Sequence, residues 1–173
     1  MVVSKNDENW YAFYTKPRSE KKIHARLEAG GFMSFLPLVE SYRIWSDRKK
    51  KVALPLIASF VFVKIEEKKI VDVLQIQGII GVLKYLKSPA KIKESEINNL
   101  KIIVHNADHV QLFTSESFIH GDIVEVVKGP FIGLKAQCVL LQGKHRVIVS
   151  VQGVDQVFEV NVPLSFLMKL KSV

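Results

Sequence analysis

Apolar residues recur along this chain with two periods, and the changes from one to the other mark out its elements. Residues 10–15, WYAFYT, alternate as a strand does, with Trp10, Ala12 and Tyr14 expected on one face and Tyr11 and Phe13 on the other. Pro17 ends that run. In residues 18–29, RSEKKIHARLEA, Ile23 and Leu27 stand one helical turn apart and Gly30 with Gly31 supplies a stop, so the spacing predicts a helix. Residues 35–45 and 49–54 read as two strands closed by a charged turn at 46–48, and 56–65 reads as a third. β-Branched and aromatic residues favour strand over helix in that third run. Helical spacing returns at 66–76 through Ile70, Val73, Leu74 and Ile76, with Gly78 behind it. Residues 79–86 form a further strand and 94–104 a helix with Ile97, Leu100 and Val104 inward.

Beyond residue 105 the texture changes. NADHVQLFTSES, residues 106–117, is polar and without strong periodicity, which marks a linker. GDIVEVV, AQCVLL, HRVIVSV and VFEVNV then follow as short strand candidates, separated by glycine-bearing KGPFIGLK, QGKH and QGVD, the spacing of a small all-β barrel. The organisation expected is therefore an α+β domain over 1–105, with an antiparallel sheet and flanking helices, a linker over 106–117, and an all-β domain over 118–173.

Charge separates the two parts further. The chain of 173 residues has a net charge of +8. Residues 1–110 hold 19 Lys/Arg against 12 Asp/Glu, whereas 111–173 hold 6 against 5, so an attraction to polyanions or acidic surfaces belongs to the first part. Arg18, Lys22 and Arg26 repeat every four residues as a basic stripe beside the apolar one, and Arg48, Lys49, Lys50 and Lys51 form a continuous run. The apolar segment after that run, residues 52–63, contains Pro55 and is far short of the about 20 residues a membrane-spanning helix needs. MVVSKNDENW lacks the basic and apolar regions of a signal peptide, and Cys138 is a lone cysteine, so a reducing, cytoplasmic setting and no membrane are expected.

Catalytic chemistry finds no constellation. His105 and His109 are four apart but no acid beyond Asp108 completes a metal set, and His24, His120 and His145 are isolated. There is no G-x-S-x-G and no G-x-x-x-x-G-K-[ST], and Gly129, Gly133 and Gly143 lie where turns between strands need glycine. The reading is a binding protein, not an enzyme, with no metal or cofactor.

The combination of elements resembles the NusG family of transcription factors, in which an NGN domain is tethered to a KOW domain. WYAFYT, the helix after it, LPLIASFVFV and QGIIGVLKYL stand in the order and spacing of the NGN signature, and GDIVEVVKGPFIGLKAQCVLLQGKHRVIVSV is similar to a KOW motif, an SH3-like barrel. TKPRSEKK and WSDRKKKVALPLIASFVFVKI resemble the UpxY-type paralogues of Bacteroidetes, antiterminators of capsular polysaccharide operons. The resemblance implies a monomer whose NGN domain docks on RNA polymerase, at the β′ clamp helices and the β gate loop, and suppresses pausing and termination. Carried residue by residue, the apolar contact falls on Tyr14, Ile57, Phe60 and Tyr85. The family's F-P-G-Y is here Ile57, Ala58, Ser59 and Phe60, which replaces the turn glycine.

The same resemblance places non-template DNA near Lys16, Arg18, Lys22 and Arg26, with Arg48, Lys49, Lys50 and Lys51 free to touch nucleic acid, nascent RNA included. It places KOW contacts, to Rho or to a small-subunit ribosomal protein, at Phe131 and Gln152, the latter standing where the general factor has phenylalanine. Two rivals remain open: a general NusG-like elongation factor, and a KOW-containing RNA- or ribosome-binding protein.

Overall fold

The computed structural model describes residues 7–45, 48–107, 110–113, 121–141, 144–151 and 156–170. The chain divides into two compact units, Met1–Glu94 and Ser95–Val173.

The first unit is built on β1 (Asn9–Thr15), followed by α1 (Glu20–Ala29), β2 (Met33–Phe35), the hairpin β3 (Leu38–Trp45) and β4 (Arg48–Pro55), and β5 (Phe60–Ile65). A 3-10 turn at Glu67–Lys69 leads into the short α2 (Ile70–Leu74). After it come β6 (Ile79–Val82), β7 (Lys84–Tyr85), β8 (Ser88–Pro89) and β9 (Lys91–Ile92), and α3 (Glu94–His105) begins where the unit ends. The sheet is antiparallel, in the order β2-β5-β1-β6, with β9 also on β1; β3 with β4 and β7 with β8 form two-stranded pairs apart from it.

Residues directly opposite in an antiparallel pair share a face. Tyr11 pairs with Val63 and Phe13 with Val61, and these four lie in one cluster with Ile23 and Leu27 of α1 and Ile70 and Val73 of α2. The other face holds Trp10 opposite Lys64, Ala12 opposite Phe62 and Tyr14 opposite Phe60, the alternation expected of WYAFYT. Trp10 is held by Glu94, whose Oε2 accepts from the indole Nε1 at 2.8 Å and from Lys64 Nζ at 2.9 Å. That ammonium also lies 5.9 Å from the indole ring centre.

α1 ends on the glycines. Phe32 N–H donates to Leu27 O and Gly31 N–H to Glu28 O, with Gly31 at φ 77°, the paired bonds that satisfy the last carbonyls of a helix. The helix expected over 66–76 is a 3-10 turn plus five α-helical residues, and the strand expected over 79–86 is broken into β6 and β7. The break has a physical cause. Leu83 N–H donates to Ala12 O and Ala90 N–H to Leu83 O, after which the chain turns back through Leu86 (φ 48°) and Lys87 (φ 71°).

The second unit holds the rest of α3 and one antiparallel sheet in the order β10-β14-β13-β12-β11-β15: β10 (Val110–Phe113), β11 (Ile123–Val126), β12 (Lys135–Leu141), β13 (Lys144–Val151), β14 (Gln156–Val160) and β15 (Leu167–Lys169). Val124, Val126, Phe131, Leu134, Phe158 and Val160 are buried. α3 is tied to this unit by side-chain amides. Asn99 Nδ2 donates to Lys135 O at 2.7 Å while its Oδ1 accepts from Lys135 N–H at 3.2 Å, and Asn106 Nδ2 donates to Pro130 O at 2.8 Å.

Two features differ from expectation here. The segment read as a linker contains β10, whose backbone groups pair with β14 from Val110–Val160 to Phe113–Val157. Pairing at a sheet edge is a property of the backbone, so a polar, aperiodic sequence can conceal it. Residues 95–105, which hold most of the helix expected over 94–104 at the end of the first domain, belong by their contacts to the second unit. No helix among the described residues is long and apolar enough to cross a membrane.

Gly78 sits at φ 104°, and a β-carbon there would lie 2.9 Å from Ile23 Cδ1, which is itself buried in the core of the first unit. Gly78→Ala is therefore expected to destabilise the protein by on the order of 2 kcal/mol, seen as a lower denaturant midpoint with an unchanged slope.

Candidate interaction surface

The sheet face opposite α1 ends in aromatic side chains. Tyr14 and Phe60 are Cα partners, and their rings stand 4.6 Å apart, tilted by 44°. Tyr14 is 38% exposed and Phe60 is half-buried, while Phe62, next along the same face, is buried and lies 6.3 Å from Phe35. An aromatic pair of this kind that is left open to solvent is a surface a partner can cover. Tyr85 is 71% exposed and stands on the separate β7–β8 hairpin beside Leu86. Ile57 corrects the sequence reading. It is only 2% exposed, so it belongs to the core and offers no surface to a partner. Strand alternation does not govern it because it precedes β5, which begins at Phe60.

The turn into β5 explains how the pair is held. Ser59 adopts φ 62°, the left-handed region in which a residue with a β-carbon costs about 1–2 kcal/mol. The chain thus keeps at a serine the conformation for which glycine is the usual choice. Both backbone groups of Ser59 are engaged: its carbonyl accepts from Thr15 N–H at 2.9 Å and its N–H donates to Glu20 Oε1 at 2.8 Å. Glu20 is buried, 4% exposed. Sequence reasoning missed it as a polar residue in the first turn of a helix; its only signal was the non-glycine residue in F-P-G-Y, 39 positions away.

The cations lie on the connection from β1 to α1 and on α1 itself. Lys16, Arg18, Lys22 and Arg26 are all exposed. The helix begins at Glu20, so Lys22 and Arg26 form a one-turn pair, while Arg18, at φ 61°, stands before it and does not continue a helical stripe. Arg26 Nη1 donates to Gln77 O at 2.6 Å, and Lys16 N–H to Gly78 O at 2.9 Å. His24 is held within the first unit: Nδ1 bonds Ser34 Oγ at 2.7 Å and Nε2 lies 3.6 Å from Glu28.

On the hairpin, the register sets Trp45 opposite Arg48, Ile44 opposite Lys49, Arg43 opposite Lys50 and Tyr42 opposite Lys51. Lys51 is exposed and ion-paired with Glu40.

In the second unit Phe131 is a further correction. It is 4% exposed, a core residue of the loop in which Gly133 N–H donates to Val126 O and Leu134 N–H to Phe131 O, and it cannot meet a partner from there. Gln152 lies outside the described residues. Cys138 is half-buried, and burial, then the charge of Asp122, pushes its thiol up, so it stays protonated and is a poor nucleophile near neutral pH. Among the described residues no three metal-ligating side chains gather.

The family described as "Transcription termination factor nusG" matches residues 8–101. No curated protein matches the chain. Among solved structures, one described as "Domain interaction in Thermotoga maritima NusG" is similar at 19% identity and a TM-score of 0.48, covering 95% of this chain and 98% of that one. A structure of the MjSpt4:Spt5 complex, conformation A, is similar at 18% identity and a TM-score of 0.31, covering 95% of this chain and 99% of that one.

The Tyr14–Phe60 pairing has a measurable energy in the free protein. A double-mutant cycle of Tyr14→Ala and Phe60→Ala, followed by chemical unfolding, is expected to give a coupling of about 0.5–1.5 kcal/mol. Additive losses would show that the two rings do not support one another.

Proposed function

The chain belongs to the NusG family, and from that premise we propose that it is a transcription elongation and antitermination factor whose NGN domain docks on RNA polymerase through Tyr14, Phe60 and Tyr85. The observation that carries this reading is the half-open aromatic pair Tyr14–Phe60, which lies within the residues the family match covers. A helix tip of the β′ clamp is the partner such a patch suits, because covering two rings gains burial without removing charge from water. Contact with the β gate loop from the same domain would bridge the cleft, disfavour clamp opening and so suppress pausing and termination.

The cations give the second half of the proposal. Exposed Lys16, Arg18, Lys22 and Arg26 suit the phosphates of the non-template strand, and the Arg48–Lys51 run on β4 suits nucleic acid, DNA or nascent RNA, reached by the hairpin. Residues 1–105 are assigned as the NGN domain on the strength of the family match over 8–101, although 95–105 group with the second unit by their contacts. Residues 118–173 are assigned as a KOW domain, supported by the sheet of β11 to β15, and β10, within the connection 106–117, adds to the edge of that sheet. Partners of that domain, Rho or a small-subunit ribosomal protein, would be met near Gln152. The spelling of 15–22 and of 45–65 supports the UpxY branch, hence action in the cytoplasm, as a monomer, at capsular or exopolysaccharide operons. The family match also favours a second reading, a general elongation factor acting on most genes.

Transcription in vitro with the cognate polymerase over a pause-rich template separates these readings. A specialised factor should lengthen transcripts from its own leader only, and a general one on any template; no effect on pausing or termination anywhere would defeat both. Phe60→Asp is expected to weaken polymerase binding by about 100-fold with the fold intact by circular dichroism. For the cations, the Lys22→Ala, Arg26→Ala double variant should make log affinity for single-stranded DNA less steep against log salt, by about 0.7 for each phosphate it no longer neutralises. An unchanged slope would remove α1 from the nucleic-acid surface.

A further inference from the structure

Glu20 presents no surface to a partner itself, since its side chain is turned away from solvent. An acidic residue in the first turn of a helix ordinarily stays at the surface near the free amides. Here Glu20 is 4% exposed and spends an oxygen on the N–H of Ser59, 2.8 Å away. On its other side the Ser59 carbonyl takes the N–H of Thr15 at 2.9 Å. Ser59 is thus gripped from α1 and from β1 at once, in a left-handed conformation that serine does not favour unaided. The two gripped positions adjoin the aromatic pair: Phe60 follows Ser59 and Tyr14 precedes Thr15. Of the two rings, which stand 4.6 Å apart, Phe60 is therefore one residue from the Glu20 bond and Tyr14 one residue from the Thr15 bond to the same Ser59.

We infer that Glu20 is a positioning residue for the partner-binding pair Tyr14–Phe60, holding by a carboxylate–amide bond the turn that glycine would adopt without help. This rests on the reading that the pair is the polymerase contact. A carboxylate suits the task because its bond to an amide is charge-assisted and stronger than one between neutral groups. Glutamine keeps an acceptor oxygen at the same reach, and alanine keeps none. A glycine at position 59 should make the grip unnecessary.

The test uses the full chain as wild type, Glu20→Gln, Glu20→Ala, Ser59→Gly, the double variant Glu20→Ala with Ser59→Gly, and Phe60→Asp. Two quantities are read: hydrogen exchange of the Ser59 amide in the free protein, and equilibrium binding to elongation complexes of the cognate polymerase. Glu20→Ala is expected to speed Ser59 exchange and weaken binding, each by about tenfold, the effect of removing one hydrogen bond. Glu20→Gln should remain within a few fold of wild type, and Ser59→Gly should restore binding to Glu20→Ala, a rescue that general destabilisation would not give.

Ser59→Gly alone should bind at least as tightly as wild type; a tenfold loss there would mean that the serine side chain matters and not the backbone, and would overturn the inference. So would Glu20→Ala with faster exchange and unchanged affinity, or a loss of affinity that Ser59→Gly fails to restore. Should Phe60→Asp bind as wild type, the docking reading itself falls; should it fail to bind while Glu20→Ala binds normally, only the positioning role does.

Discussion

Six consecutive residue pairs between β1 and β5, from Asn9 opposite Ile65 to Tyr14 opposite Phe60, decide what the first unit buries and what it shows. Strand side chains alternate, so this register sends Tyr11, Phe13, Val61 and Val63 to α1 and α2, and leaves Trp10, Ala12, Tyr14, Phe60 and Phe62 on the other face. A slip of one residue would exchange the two sets, taking the apolar side chains that pack on α1 and α2 away from the helices and turning Lys64 toward them. The core and the candidate docking patch are therefore one constraint seen from two sides. A substitution that shifts the register must damage both.

The far end of that pairing is where regular geometry stops, and the chain supports it with specific bonds. Thr15 N–H and Glu20 each take a backbone group of Ser59, while Lys16 N–H takes the carbonyl of Gly78. Left-handed residues cluster around the same place: Arg18, Ser59 and Gly78 have φ of 61°, 62° and 104°. Only one of the three is glycine. Ser59 persists there because α1 and β1 each hold one of its backbone groups.

The elements with strong periodicity were legible in the sequence. WYAFYT reads as a two-faced strand because alternation is its own record, and α1 is bounded by Pro17 and the two glycines that its hydrogen bonds use. What was hidden depends on distant partners. Ile57 and Phe131 look like surface aromatics or aliphatics by analogy of motif, yet both are buried, since neither lies in a strand whose alternation would give its direction away. β10 escaped notice because its ladder to β14 is written in backbone, not side chains. Glu20 could not be singled out, because its partner is 39 positions away and is an amide that every residue but proline possesses.

Position matters as much as identity for the exposed cations. Lys16 and Arg18 sit in the short connection between Thr15, bonded to Ser59, and Glu20, bonded to the same residue. Ser19 N–H donates to Lys16 O at 3.1 Å and Ile23 N–H to Ser19 O at 3.0 Å, so the connection is itself a bonded turn. A cation on such a turn loses little backbone freedom when it meets a phosphate, which leaves more of the counterion-release gain as affinity. The apolar pair gains instead from excluding water and responds little to salt. Fixed to one short stretch of backbone, the two kinds of contact are held in a constant relation. On the proposed reading, a partner that meets Tyr14 and Phe60 would thereby set where Lys16 and Arg18 present their charge to a polyanion.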